Sequence, residues 1–367
     1  MKRRTFLQTG LALMLCDPRR SLAGLDTDKL ETASKLLTRA AEMGEVESSS
    51  VYVQQGSDVF ARTFGKAKNL DDMFLLASIS KTISIAAVMT LYDEELFRLE
   101  DPIRKYIPEF QGEGRDKITL RQLMTHVSGL PDQLPENAKL RSQHAPLSEF
   151  VKAAIETPLL FEPGTRYSYS SMAILLATEV ARRLSGETIH KLSQDRIFKP
   201  LGITRSAMGL GKFKLGDVIR NQVERAAPES GAGDPSTKSW DWNSEYWRKL
   251  GAPWGAAHGS AENVARFLAE FLDAQGKILK PETERLIVSN QNPENLRPRG
   301  LGFDLGQIGG TPGLSPNTFG HTGSTGTICW ADPATKAITV ILTTLPYRAV
   351  TPHPRDRIAA LAAEAVQ

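Results

Sequence analysis

Ser78 and Lys81 are the residues in this sequence whose types and spacing best suit nucleophilic chemistry. Side chains three positions apart in a helix lie on one face, so the lysine ammonium or amine can reach the serine hydroxyl and lower the cost of forming an alkoxide. The apolar pattern of residues 78–96 predicts a long buried helix, whose positive N-terminal end would favour an alkoxide. Because about one Ser-x-x-Lys match is expected by chance in a chain of this length, a simple helix cap with an exposed lysine is the alternative.

Two later groups strengthen the catalytic interpretation. Tyr169 lies in a turn before an apolar helix and offers a phenol as a proton carrier. A strand-like run further along the chain contains His321, Thr322 and Gly323, followed by Ser324. The six histidines lack metal-ligand spacing, and no Gly-rich phosphate loop is present, so we expect neither a metal nor a cofactor.

The periodicity of the remaining sequence indicates how these groups are brought together. Strand-like segments lie at both ends of the chain, and most segments between them have helical spacing. We therefore predict an α+β fold in which helices flank an antiparallel sheet built from both ends of the chain, with a mainly helical lobe inserted between them. The predicted strand regions are residues 50–64, 300–304, 320–331 and 337–344, and the main predicted helices are residues 25–41, 78–96, 172–184, 261–272 and 355–366.

Composition excludes several classes of protein. With 41% hydrophobic and 24% charged residues in 367, the chain is typical of folded globular proteins. Its 45 basic and 42 acidic residues are too evenly balanced to form the basic face that nucleic acid requires. We therefore expect a small molecule, and not a nucleic acid, as its partner.

Residues 1–23 have the organisation of an export signal, with a basic start, a short apolar run and small residues at the end. The pair Arg3 and Arg4 resembles the twin-arginine signal. The apolar run is too short for a retained membrane span, which needs about 20 residues. A lipid anchor on Cys16 is disfavoured by the leucine before it. We expect an exported protein, periplasmic or extracellular, with one domain over residues 24–367.

Taken together, the motifs resemble the serine β-lactamase-like superfamily, in the branch that contains class C β-lactamases, D,D-peptidases and esterases. Its elements are Ser-x-x-Lys, Tyr-x-Asn and Lys/His-x-Gly. The resemblance extends over roughly residues 45–345 and implies a β-lactamase/transpeptidase-like fold. The matching segments are Ser78-Ile79-Ser80-Lys81, Tyr169-Ser170-Ser171, His321-Thr322-Gly323 and the similar Thr125-His126-Val127-Ser128-Gly129-Leu130.

The resemblance also implies a role for each residue. Ser78 would be the nucleophile that forms an acyl-enzyme, Lys81 its proton partner, and Tyr169 the general base and leaving-group acid. The backbone N–H groups of Ser78 and Ser324 would hold the oxyanion. The implied substrate-binding residues are Ser171, His321, Thr322 and Gly323.

Two departures from the family pattern bear on the substrate. Ser171 stands where many relatives have an asparagine, so an amide donor to the acyl chain is missing. His321 replaces a lysine, which weakens attraction for a substrate carboxylate near neutral pH. We therefore expect hydrolysis of an ester or small amide. The alternatives are a peptidoglycan D,D-peptidase or weak β-lactamase acting on β-lactam-like substrates, and a non-hydrolytic binding or sensor module.

A polar stretch over residues 211–255 contains four of the five tryptophans. Large aromatic side chains can form a wall for an apolar substrate, but more often they pack a loop onto the body of a fold. We therefore favour a packing role for these residues.

Overall fold

The computed structural model describes residues 24–225 and 227–366, and the predicted export signal at residues 1–23 lies outside them. Within these ranges the chain forms eleven α-helices and nine β-strands. The helices are α1 (Thr27–Glu42), α2 (Ser80–Asp93), α3 (Leu120–Met124), α4 (Asn137–Ser142), α5 (Leu147–Glu156), α6 (Ser171–Ser185), α7 (Ile189–Ser193), α8 (Glu245–Leu250), α9 (Ala261–Asp273), α10 (Pro281–Ile287) and α11 (Pro354–Glu364). The strands are β1 (Ser48–Gln55), β2 (Asp58–Gly65), β3 (Phe74–Leu75), β4 (Ser206–Met208), β5 (Ala257–Gly259), β6 (Asp304–Leu305), β7 (Phe319–Gly323), β8 (Thr327–Asp332) and β9 (Ala337–Thr343).

The main sheet joins the two ends of the chain. Its six strands are antiparallel in the order β2-β1-β9-β8-β7-β6. The N-terminal strand β1 pairs with β9 in a register that runs from Ser49 opposite Thr343 to Gln55 opposite Ala337. This arrangement confirms the predicted antiparallel sheet flanked by helices.

Helices cover both faces of this sheet. Since successive side chains of a strand point to opposite faces, neighbouring residues of β9 pack against different helices. On one face, Ile341 belongs to an apolar cluster with Leu30 of α1 and Ile358 of α11. On the other face, Val340 belongs to the larger core, which includes Phe267 of α9. Burying apolar side chains on both faces makes the sheet the rigid centre of the molecule.

The helical lobe is built around α2, which is buried along nearly its whole length, from Ser80 to Leu91. This helix carries apolar side chains on every side, so it must lie inside the lobe, where it packs against α6 and α7. None of the described helices is long and apolar enough to cross a lipid bilayer.

The strands differ from the sequence prediction in three places. Residues 320–331 form two strands, because the chain turns between β7 and β8 at Gly326, whose φ is +86°. The expected strand at residues 300–304 is reduced to β6, since Gly302 adopts a φ of +78° that breaks the extended chain. A small second sheet, in the order β3-β5-β4, was not predicted from its very short strands.

Candidate active site

Ser78 lies in a 3₁₀ turn, Ala77–Ile79, between β3 and α2, rather than in the helix itself. The residue before it, Ala77, has a φ of +48°, a left-handed conformation that is strained for a residue with a side chain. Ala77 and Ile79 are buried, whereas Ser78 is partly exposed. The turn therefore presents one hydroxyl to solvent from an otherwise buried segment.

Strand β7 is held against this turn by very close packing. Thr327 Oγ1 on the adjacent strand donates a 3.0 Å hydrogen bond to the Leu76 carbonyl. A Cβ atom at Gly323 would overlap Thr327 Oγ1 and lie 2.6 Å from the Leu76 oxygen, so only glycine fits there. As a result, Ser324 lines the same cavity as Ser78, as an oxyanion site formed by their two N–H groups would require.

Lys81 contacts Ser78 from the buried side. Its Nζ atom lies 3.1 Å from Ser78 Oγ and 2.7 Å from the Trp254 carbonyl oxygen. Burial lowers the pKa of Lys81 to about 7, although the Asp132 carboxylate acts in the opposite direction. Near neutral pH a large share of Lys81 is therefore an uncharged amine, which can accept the Ser78 proton.

Tyr169 packs beside this pair. Lys81 Nζ lies 4.7 Å from the centroid of its ring, and the His126 ring packs 4.6 Å away. Burial raises the pKa of Tyr169 well above its usual value, although Arg299 and the Ser78 hydroxyl act against that shift. Its phenol oxygen is buried and makes no regular hydrogen bond with any residue that the structure describes. These surroundings favour a protonated phenol in the free protein, and the role of Tyr169 as a base stays a prediction.

His126 positions the turn that carries Tyr169. Its ring atom Nδ1 accepts a 3.2 Å hydrogen bond from the Ser170 N–H, and its carbonyl accepts one of 2.9 Å from Ser168. The residue is fully buried with a φ of +63°. The segment Thr125-His126-Val127-Ser128-Gly129-Leu130 therefore has a structural role, because its His126 holds the turn that carries Tyr169.

Ser171 does not offer its hydroxyl proton to the cavity. Both its N–H and its Oγ–H donate to Asp132 Oδ1, at 3.0 and 2.6 Å. Asp132 is exposed and lines the cavity, so a carboxylate lies where the family pattern has an amide donor. The only sequence signal for Asp132 was its position directly after the Gly129-Leu130-Pro131 turn.

His321 is buried and fully engaged. Its Nε2 atom accepts a 2.8 Å hydrogen bond from Arg299, which leaves Nδ1 to donate to the Thr322 carbonyl at 2.6 Å. Burial lowers the pKa of His321 to about 3, with Asp304 opposing this shift and Arg299 adding to it. The imidazole is therefore neutral, and the positive charge at this wall comes from Arg299, a residue that the sequence analysis missed.

The predicted residues share one cavity of about 780 Å³. Trp242, Trp247 and Trp254 are buried in the core and also line this cavity. The packing role predicted for the tryptophans and the role as a substrate wall therefore coexist. The predicted residues that line the cavity are Ser78, Tyr169, Ser171, His321, Thr322, Gly323 and Ser324, while Lys81 contacts Ser78 from the core.

Replacing Arg299 by methionine is expected to destabilise the protein. Arg299 forms a buried ion pair with Asp304. Among the described residues, its loss leaves that carboxylate near Arg297, at 3.5 Å, and the neutral His321, at 4.0 Å. Removing one partner of a buried pair costs about 3 kcal/mol or more in the free energy of unfolding, which urea denaturation measures. The double variant Arg299→Met/Asp304→Asn should recover part of this loss. A single variant as stable as the wild type would contradict the proposed pairing energy.

Comparison with known proteins places this geometry in a family. The sequence model of the Beta-lactamase family matches residues 34–364. A protein of Escherichia coli (strain K12), described as a "Putative D-alanyl-D-alanine carboxypeptidase", is 23% identical over 372 aligned residues, which cover 89% of this chain and 85% of that protein.

Solved structures share the fold. EstCE1, described as a hydrolase with promiscuous acyltransferase activity, superposes with a TM-score of 0.73 at 19% identity, covering 93% of this chain and 99% of that one. A penicillin-binding protein homologue from Caulobacter crescentus gives a TM-score of 0.72 at 20% identity, covering 94% and 99%. The family match extends over nearly the whole described chain and includes every motif that surrounds Ser78. The chain therefore belongs to the Beta-lactamase family, and is a serine hydrolase of the serine β-lactamase-like superfamily.

Proposed function

We propose that the protein hydrolyses an ester or a small amide through an acyl-enzyme on Ser78. The observation that carries this proposal is the 3.1 Å contact between Ser78 Oγ and Lys81 Nζ, an amine whose pKa burial lowers to about 7. Such an amine can take the hydroxyl proton at neutral pH, which makes the serine a nucleophile.

The reaction then proceeds in two steps. Ser78 Oγ attacks the carbonyl carbon while Lys81 takes its proton, and the N–H groups of Ser78 and Ser324 stabilise the oxyanion. As the bond to the leaving group breaks, Tyr169 donates its phenol proton to that group and is reprotonated from Lys81. Water then attacks the acyl-enzyme and gives a proton back along the same route, which releases the acid and restores Ser78. Compared with the sequence expectation, Lys81 and not Tyr169 takes the first proton, because the Tyr169 pKa is raised.

The environment of Ser171 supports esters over β-lactams. Penicillins and peptides carry an amide next to the scissile bond, whose carbonyl needs a hydrogen-bond donor. Here the Ser171 hydroxyl donates to Asp132, and the carboxylate would repel that carbonyl oxygen. An acyl group without this amide avoids the mismatch, which costs about 1–3 kcal/mol for one unpaired group.

A panel of substrates tests this proposal. Initial rates would be measured on 4-nitrophenyl acetate and butyrate, a chromogenic cephalosporin and an acetylated peptide that ends in D-Ala-D-Ala. We expect kcat/KM for the esters to exceed that for the β-lactam and the peptide by at least about tenfold. The matched variant Ser171→Asn restores an amide donor and should shift the ratio toward the β-lactam.

Faster turnover of the cephalosporin or the peptide than of the esters would contradict the proposed substrate class and favour a β-lactamase or D,D-peptidase. The similarity to a "Putative D-alanyl-D-alanine carboxypeptidase" makes the peptide the essential comparison. A folded protein that turns over none of these compounds would favour the binding-module alternative.

We further infer that the enzyme acts outside the cytoplasm. The support is the basic start and short apolar run of residues 1–23, with the twin-arginine pattern at Arg3 and Arg4. Fractionation of cells that express the full chain should place it outside the cytoplasm, and replacing both arginines by lysine should retain it inside. Equal distribution of the two proteins would refute this route.

A further inference from the structure

Arg141, on α4, is a buried cation without a carboxylate partner. The residue is 1% exposed, and among the described residues the nearby ionisable groups Tyr246 and Glu229 act on it only through space. One nitrogen, Nη1, donates to the Glu229 carbonyl, and Nε is buried without a partner. Nη2 makes no hydrogen bond to a described residue and, unlike Nε, is not fully buried. Burying a charge without an opposite charge or a full set of hydrogen bonds is costly in free energy, and a bound anionic ligand would reduce that cost.

This arginine faces the catalytic cavity across the tryptophan wall. Its guanidinium stacks 3.8 Å from the centroid of the Trp247 ring, and that ring packs at 6.1 Å against Trp254. The carbonyl of Trp254 in turn holds Lys81 at 2.7 Å. Arg141, Trp247 and Trp254 all line the cavity that contains Ser78. An apolar wall therefore leads from the nucleophile to an unpaired cation.

The charge lining the cavity is compatible with a singly charged anion. Five arginines and three carboxylates line it, so the formal balance is positive. Asp304 is already paired with Arg299, while Asp132 accepts two hydrogen bonds from Ser171, and Glu229 interacts with Arg141 through space. These two carboxylates disfavour a dianion such as phosphate. Burial lowers the pKa of Arg141 to about 10, so the group remains charged at neutral pH.

We propose that Arg141 binds a carboxylate on the acyl part of the substrate, so that the preferred substrates are esters or small amides of an acid with an apolar chain and a second, terminal carboxylate. The acyl side is assigned because α4 continues the wall that begins with Asp132 and Ser171, where the family pattern places the acyl chain. This inference rests on the proposed hydrolase function and specifies its substrate class.

Matched pairs of esters test the proposal. One set contains mono-4-nitrophenyl esters of linear dicarboxylic acids with five to eight carbons, and the other contains neutral 4-nitrophenyl esters of the same chain lengths. In Arg141→Met, which keeps an apolar stem against Trp247, kcat/KM for the preferred anionic ester should fall by about 10- to 100-fold, while that for its neutral partner changes by less than about threefold. Arg141→Lys, which keeps the charge, should retain part of the selectivity.

A binding measurement separates this proposal from the hydrolase function. Calorimetric titration of Ser78→Ala with each ester needs no turnover, and the anionic ester should bind more tightly than the neutral one. The additional Arg141→Met change should remove that difference. Tighter binding of the anion would support the carboxylate site even if the wild type hydrolysed neither ester.

Equal losses on both esters in Arg141→Met would mean that Arg141 only packs against Trp247, and would overturn the proposal. Equal binding of both esters by Ser78→Ala would also overturn it. If Arg141→Met does not fold, Arg141→Gln takes its place in the Ser78→Ala background, because four other arginines line the cavity and only a change at Arg141 assigns the anionic preference to this residue.

Discussion

Replacing Ser78 by alanine is expected to lower kcat/KM for 4-nitrophenyl esters by at least about 10⁴-fold, because Ser78 is the residue proposed to form the acyl-enzyme. The same change should abolish covalent labelling by a fluorophosphonate, which reacts only with an activated serine. Intact-mass spectrometry measures this directly, as a single adduct on the wild type and none on the variant.

Ser84→Ala is the matched control for this prediction. Ser84 is a fully buried serine on α2, the helix that follows the turn carrying Ser78, and it donates a 2.8 Å hydrogen bond to the Pro253 carbonyl. Its loss should reduce stability by about 1 kcal/mol while labelling of Ser78 persists. Equal labelling of the wild type and Ser78→Ala would show that another serine is the nucleophile.

Replacing Lys81 by methionine is expected to lower kcat/KM by about 10²- to 10⁴-fold, the usual contribution of a positioned general base. Because the unprotonated amine is the active form, wild-type kcat/KM should rise about tenfold per pH unit below pH 7 and level off above it. Burial places the pKa of Lys81 at about 7, while His321 titrates near 3 and Tyr169 well above its usual range. The rise of kcat/KM with pH below pH 7 should therefore be absent in Lys81→Met.

Lys81→Arg distinguishes a base from a fixed charge. An arginine keeps the positive charge but does not give up its proton near neutral pH, so this variant should be as impaired as Lys81→Met. Circular dichroism would check that both variants fold. An active Lys81→Arg enzyme, or a pH limb that survives in Lys81→Met, would assign the proton transfer to another group.

The fold was predictable where periodicity and burial coincide. The helical spacing of residues 25–41 and 355–366 gave α1 and α11, and the long apolar run after Ser78 gave α2. The small sheet that contains β3 was not predictable, because a strand of two residues such as Phe74–Leu75 carries no alternation. The 3₁₀ turn at Ala77–Ile79 was missed because its strained backbone is held by contacts from β7 and β8, not by local propensity.

The site was predictable to the extent that its chemistry lies in short motifs. Ser78, Lys81 and Tyr169 are brought together as expected, with Lys81 contacting both partners. Arg299 and Asp132 were missed, since each acquires its role only through a partner distant in sequence. Arg299 becomes part of the site by donating to His321, and Asp132 by accepting from Ser171. Single-sequence patterns contain no signal for such pairings.

The joining of the two chain ends in one sheet has a consequence for the timing of activity during synthesis. Ser48 near the start of β1 bonds to Thr344 just after β9, 296 positions later, so the sheet closes only when almost the entire chain has left the ribosome. Ser78 emerges early, but Ser324 and the strand that carries it emerge near the end. A nascent chain thus carries Ser78 long before the proposed oxyanion site can form, so we expect hydrolysis only after the sheet has closed.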